Sequence, residues 1–142
     1  MPESIFWDSC EEIEAVLDQY VHDEVALPVR TKLRYRSADP FAVTLDFQNA
    51  SGLITSWRFS RDLLYHGMNH DAGNGDVRIW PADKGEEPLL CILLRSSGSH
   101  ALFTTESDPI RAWLDRSFDL IPRGTESALI DWESVIDSLM LP

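Results

Sequence analysis

The 142-residue chain carries 24 acidic against 12 basic side chains, a formal net charge of −12, and only two cysteines. That length suits one domain burying roughly two-thirds of its unfolded surface in a single core, and the charge excludes wholesale attraction to phosphate backbones or anionic membranes. A disulfide framework is excluded as well, and with no leader and no apolar run approaching 18 residues the expectation is a soluble, cytoplasmic protein.

The charge is segregated: residues 1–25 hold eight acids, residues 124–142 hold four, and neither stretch contains Lys or Arg. In residues 10–21, Ile13, Ala15 and Leu17 alternate as in a strand, while Ile13, Val16, Leu17 and Tyr20 also fit a helix. Period alone leaves both open. Asp23, Glu24 and Pro28 then mark a break.

Residues 27–43 combine a strict two-residue period with concentrated positive charge. Arg30, Lys32, Arg34 and Arg36 fall on one parity, and Val29, Thr31, Leu33 and Tyr35 on the other. In a strand this places four cations in a row over roughly 20 Å. A turn at residues 37–40 follows, and Phe41, Val43, Leu45 and Phe47 form the buried side of a second strand. The faces set the register, because a slip of one residue would bring the cations beside the phenylalanines. Lys32 then lies opposite Asp46 and Arg34 opposite Thr44, leaving three of the four cations without a carboxylate across from them. Such a strip is either a charged outer face that prevents aggregation or a docking surface for an acidic partner.

Thr55, Trp57 and Phe59 line one side of a third strand, with Arg58 on the other. Ser60 suits the N-cap of a short helix carrying Leu63 and Leu64, stopped by Gly67. A glycine loop over residues 70–76 leads to a strand in which Val77 and Ile79 face the core, Arg78 and Trp80 face out, and Pro81 ends the run. Residues 82–88 read as a charged turn. The six apolar residues 89–94 read as a strand covered on both faces, by the core and by a helix or second subunit. After a turn at residues 96–99 and a returning strand, Asp108 caps a helix with Pro109 at its first position and an apolar stripe of Ile110, Trp113, Leu114 and Phe118. A last helix, capped by Asp131, carries Trp132, Val135, Ile136, Leu139 and Met140. The architecture is a single α+β domain, mostly antiparallel, with two later helices packed on six or seven strands.

Reactive constellations are sparse. The glycine loop lacks the third glycine and the following helix of a phosphate cradle, and Asp71 and Asp76 oppose an anion. His66 and His70 are four apart, but a helix ending at Gly67 separates their faces. Cys91 lies in an apolar run, where a thiol is inert, and no serine occupies a glycine elbow. The expectation is a non-enzyme without metal or cofactor. One constellation survives: Arg30, Lys32, Arg34, Arg36, Arg58, Arg78 and Trp80 all point away from the core, a candidate partner-binding face. It suits an acidic peptide or, with bases stacked on Trp80, single-stranded nucleic acid.

Residues 27–43, WRFSRDLL at 57–64, GDVRIWP at 75–81 and PRGTE at 122–126, in this order and spacing, resemble the SsgA-like family of actinobacterial sporulation and cell-division proteins. The likeness spans about residues 21–141 of a single domain at 1–142, with residues 1–20 an acidic N-terminal segment more acidic than the family's pattern. It implies a non-enzymatic role in septum placement at the division septum. In the SsgB type, the branch it best fits, this means recruiting the tubulin-like protein FtsZ or promoting its assembly. It also implies a whirly-like fold, a homotrimer that would account for the doubly covered strand, and a first strand near residues 9–17. Neither cofactor nor membrane insertion is implied.

Overall fold

The computed structural model describes residues 8–22, 25–52, 54–129 and 139. Seven strands form one sheet: β1 (Cys10–His22), β2 (Val25–Arg36), β3 (Ala42–Gln48), β4 (Ile54–Ser60), β5 (Val77–Lys84), β6 (Glu87–Ser96) and β7 (Ser99–Glu106). Their spatial order is β4-β3-β2-β1-β7-β6-β5, and every pairing is antiparallel. The sheet is therefore two meanders, β1 to β4 and β5 to β7, joined along a seam of only three residue pairs, Asp18–Thr104, Gln19–Phe103 and Tyr20–Leu102.

The period-2 reading of β2 holds: Thr31, Leu33 and Tyr35 are buried, while Arg30 and Arg36 are exposed and Lys32 and Arg34 intermediate. Lys32 pairs with Asp46 and Arg34 with Thr44, the register that the faces require. The stretch that sequence left open between helix and strand is β1, and its pairing along nearly the whole of β2 decides the matter, since a helix could not satisfy that ladder. Phe41 departs from expectation. It lies in the turn before β3 and is 48% exposed.

One face of the sheet is concave and apolar. Leu17, Leu33, Val43, Leu45, Ile79, Leu90 and Ile92 form its floor, each at most 2% exposed. The curl is visible in the stack of Phe47 on β3 against Phe103 on β7, with ring centroids 4.7 Å apart. Three strand spacings, about 14 Å in a flat sheet, separate those strands. Two helices cover the far end of this face: α1 (Arg61–Gly67) and α2 (Ser107–Leu120), the latter burying Ile110, Trp113 and Leu114. Below the seam β1 has no strand partner on that side among the described residues, and side chains of α2 and β7 bond to it instead. The Trp113 indole donates to Glu11 O at 3.0 Å, Arg116 reaches the Glu11 carboxylate at 3.2 Å, and the Thr105 hydroxyl donates to Val16 O at 3.2 Å.

Several boundaries differ from the sequence reading. Pro81 does not end β5, which continues to Lys84 opposite Leu90 and Glu87; an edge strand tolerates the missing N–H. Helix α2 starts at Ser107 rather than after Asp108, with Glu106 at the N-cap and no side-chain cap bond, so Pro109 occupies its third position, where its nitrogen needs no intrahelical partner. Ser60 caps α1 as expected, accepting from Leu63 N at 3.2 Å. Gly67, however, is not a left-handed stop. A Cβ there would lie 2.4 Å from Ile79 Cγ2, so glycine is needed for α1 to approach β5. Among the described residues of one chain, the 89–94 strand is covered by the core on one face only. Outside, no helix lies on it among the described residues; Cys91 is buried between its cross-strand neighbours Trp80 and Thr104, and Leu89 and Leu93 stay half-buried. The last predicted helix lies outside the described residues except for Leu139, which is exposed.

Gly67→Ala is expected to destabilise the fold by about 1–3 kcal/mol, the usual cost of overpacking, whereas Gly75→Ala, with open space at the new Cβ, leaves stability nearly unchanged. Parallel urea titrations of the two variants check the contrast.

Candidate partner-binding surface

The convex face collects the cations that the alternation of β2 directs outward. Strand pairing carries the same parity across the sheet, so Arg30, Lys32, Arg34, Arg36, Arg58, Arg78 and Trp80 all occupy this one face. They do not form one cluster. Arg58 is on β4 and Arg78 and Trp80 on β5, the two opposite edges of the seven-stranded sheet.

Nor is the face basic. Strand β1 lies beside β2 with Glu12 opposite Arg34 and Glu14 opposite Lys32, so the acidic amino-terminal segment is interleaved with the strip. Arg34 Nε lies 2.9 Å from Asp46, Arg36 grips both oxygens of Asp8 at 2.6 and 2.7 Å, and Lys32 is 3.9 Å from Glu12. Arg58 makes a fork with Asp39 at 2.6 Å, and Arg78 reaches Asp71 at 2.7 Å while lying over the Trp80 ring. The hydrogen bonds and charge of Asp8 and of Asp39 hold the Arg36 and Arg58 guanidinium pKa values above their ordinary level. Among the described residues Arg30 alone of these cations has no carboxylate partner. Such pairing weakens the attraction for a phosphate backbone that the bare strip suggested. Of these carboxylates the sequence reading placed only Asp46, on the strand facing β2 in the hairpin; Glu12 comes from β1, and Asp8, Asp39 and Asp71 come from turns and loops outside those strands.

The residues that make the sequence distinctive meet elsewhere, inside the molecule. Arg61 is 1% exposed. Its guanidinium donates to Ser117 O at 3.0 Å and Ile121 O at 2.8 Å, carbonyls at the C-terminal end of α2, and to Glu126 at 2.9 Å. It lies against Tyr35 at 4.4 Å and Phe118 at 4.5 Å. The Tyr35 hydroxyl donates to Pro40 O at 2.9 Å, and burial pushes its pKa up to about 12. Three of the four segments quoted above thus supply Tyr35 and Pro40, Arg61, and Glu126 to one buried centre. Arg123, from the last of them, spans Asp62 at 3.0 Å, His66 Nε2 at 3.2 Å and the Tyr65 ring at 4.2 Å.

His66 and His70 are not kept apart by Gly67. Their rings stack 5.5 Å apart, because the chain makes another turn through Met68 with His70 N bonded to His66 O. Among the described residues no cluster of three or more His, Cys, Asp or Glu could hold a metal ion. Burial raises the Cys91 thiol pKa, consistent with an unreactive core cysteine.

Residues 29–126 match the family described as "Streptomyces sporulation and cell division protein, SsgA". A relative from Frankia casuarinae named "Sporulation-specific cell division protein SsgB" is 34% identical over 127 residues, covering 89% of each chain. Its namesake from Streptomyces coelicolor is 34% identical over 120 residues, 84% of this chain and 88% of the other. Two solved structures share the fold. That of SsgB from Streptomyces coelicolor superposes with a TM-score of 0.83 at 34% identity, covering 87% of this chain and 98% of its own. The SsgA-like sporulation-specific cell division protein from Thermobifida fusca gives 0.84 at 32% identity, with 94% and 98% covered.

The Arg61 centre has a pH signature. Burial works to raise the Glu126 pKa, but the Arg61 hydrogen bond, backbone N–H bonds from its own residue and Gly124, and the Arg61 charge outweigh it, so the carboxyl is held below its ordinary 4.5. A depressed carboxylate stabilises the fold above the unfolded value, and that stabilisation is lost as pH falls from 4.5 through the folded value. Removing the partner by Arg61→Met should cost about 3–5 kcal/mol at pH 7, the scale for breaking a buried pair. Glu126→Gln should flatten the acid limb below pH 4.5, as read by thermal melts at stepped pH.

Proposed function

The chain belongs to the SsgA family of sporulation and cell division proteins, and from that membership we propose that it acts in sporulation septation as a non-enzymatic adaptor. In this reading it recruits FtsZ to the division site or promotes its assembly there. The observation that carries the proposal is likeness over nearly the whole chain to relatives named for sporulation-specific cell division. The family's distinctive residues lend support. Tyr35, Arg61 and Glu126 are engaged in internal contacts, which is what a scaffold needs.

The docking surface proposed is the convex face, where Arg30, Lys32, Arg34 and Arg36 run along β2, flanked by Arg58 at one edge and by Arg78 with Trp80 at the other. Ion pairs that are largely exposed contribute little to stability, so their cations are free to exchange a local carboxylate for a partner's. The half-buried outer side of β6, at Leu89 and Leu93, suits a contact between subunits, and a whirly-like homotrimer at the septum is part of the same proposal. No helix among the described residues is long and apolar enough to cross a membrane.

Co-sedimentation of the protein with FtsZ filaments of the same organism, across a salt series, tests this reading. Pelleting is expected at low salt, weakening as ionic strength passes about 0.15 M. Lys32→Glu with Arg36→Glu, two positions whose ion pairs are roughly half exposed, should reduce pelleting several-fold without loss of fold. Absence of pelleting at every salt concentration removes FtsZ as the partner.

A further inference from the structure

Where the seam ends, β1 and β7 diverge, and their ladder stops at the pair Asp18–Thr104. A groove of about 430 Å³ opens there on the convex face. The apolar part of its lining is Ala15, Val16, Leu89 and Pro109, and the Thr105 hydroxyl bridges the two strands to Val16 O. Tyr20, 40% exposed, lines it as well. Four carboxylates complete the wall: Glu14 and Asp18 on β1, Glu87 on β6 and Glu106 at the end of β7. None of the four takes part in an ion pair among the described residues.

The chain does not supply the missing counter-charge. All 12 of its lysines and arginines are among the described residues. Lys84 alone of them lines the groove. Lys32, opposite Glu14 on β2, is 3.9 Å from Glu12 instead, and Arg30, opposite Val16, lines a neighbouring hollow with Asp46 and Gln48. The first turn of α2 adds about half a positive charge, so the four carboxylates stay in excess. A second feature is independent of charge. Thr104 lines the groove and is only 9% exposed, yet its hydroxyl makes no hydrogen bond among the described residues, unlike that of Thr105. Strand parity turns it to the convex side, into the groove. A nearly buried hydroxyl without a partner is costly, and a donor entering the groove relieves it.

We infer that this groove docks a basic segment of a partner protein, seating a lysine or arginine side chain among Glu14, Asp18, Glu87 and Glu106 with one of its N–H groups donating to the Thr104 hydroxyl. The methylene stem of that side chain covers Val16 and Leu89, and Tyr20 places an aromatic ring beside the charge. Hydrogen bonds in which donor or acceptor is ionised are the strong ones, so the charge and the hydroxyl act together. A second copy of this chain is a poorer occupant, since two molecules of charge −12 repel. The groove is opposite in sign to the cations of β2, so it selects a different partner from theirs and does not depend on FtsZ being that partner.

The probe is a terminally blocked pentapeptide alternating valine with arginine, titrated into the full-length protein while amide chemical shifts are followed. Saturable shifts at Val16, Asp18, Leu89 and Thr104 are expected, with affinity falling several-fold between about 0.05 and 0.3 M salt. Asp18→Asn with Glu87→Gln should weaken binding at least tenfold, and Thr104→Val several-fold with the salt dependence unchanged. These side chains make no hydrogen bond among the described residues, so the free variants should keep dispersed spectra. The inference is overturned by shifts confined to other parts of the molecule, by no saturation at millimolar peptide, or by equal binding of a peptide with glutamate in place of arginine. Unchanged affinity in either variant overturns it too. So do groove amides that shift with protein concentration in the absence of peptide while peptide binding falls in step, as when a second copy closes over Leu89. A failed FtsZ pelleting experiment with a positive peptide titration leaves this site standing, and the reverse result leaves the adaptor reading standing.

Discussion

Everything at the helical end of the molecule depends on one buried cation. At the end of helix α2, Ser117 O accepts one backbone bond from Ile121 N–H at 2.9 Å, while Ile121 O lies past the last helical turn, and a helix end buried with its carbonyls short of partners is costly. Arg61 resolves this from another element, giving hydrogen bonds to Ser117 O and Ile121 O and an ion pair to Glu126. A guanidinium is suited to the task because its planar fork serves several acceptors while its faces rest on Tyr35 and Phe118. A lysine would supply charge without the fork or the stack. Four parts of the chain are thereby fixed relative to one another: the end of β2, the start of α1, the end of α2 and the turn into the 3-10 segment Glu126–Leu129.

That centre also separates what was legible in the sequence from what was not. The β2–β3 register was legible, because a two-residue period with charge on one parity and apolar side chains on the other fixes which parities pair, and the short turn at residues 37–40 limits the slip between them. The strand β1 was not legible from period alone, since its apolar residues satisfy both templates, and only the ladder with β2 makes it a strand. Of the carboxylates beside the basic strip, Glu12 and Asp8 were hidden for the same reason: they arrive with β1 and the residues just before it. Arg61 itself was not singled out, because nothing local to WRFSRDLL announces that its hydrogen-bond partners lie 56 to 65 positions away. The likeness of short segments to a family registered their importance without revealing that it was structural.

Gly67 and Pro81 teach a narrower lesson. Both were assigned to roles that glycine and proline commonly play, a helix stop and a strand stop. Packing decided otherwise in the first case, where Ile79 leaves no room for a Cβ, and topology in the second, where an edge position removes the need for the missing donor. Local chemistry says what a residue permits. Neighbours say which permission is used.

The three-pair seam between β1 and β7 bears on how the chain reaches this structure. Among the described residues, all other strand pairings join neighbours in sequence and close by short connections, so each meander can form by local steps. At the seam, by contrast, Thr105 meets Val16 across 89 positions, and that long loop must be closed before its few ladder bonds compensate the lost chain entropy. Docking of two preformed halves, with the Phe47–Phe103 stack and Trp113 as the apolar contacts that reward it, is then the slow event in folding.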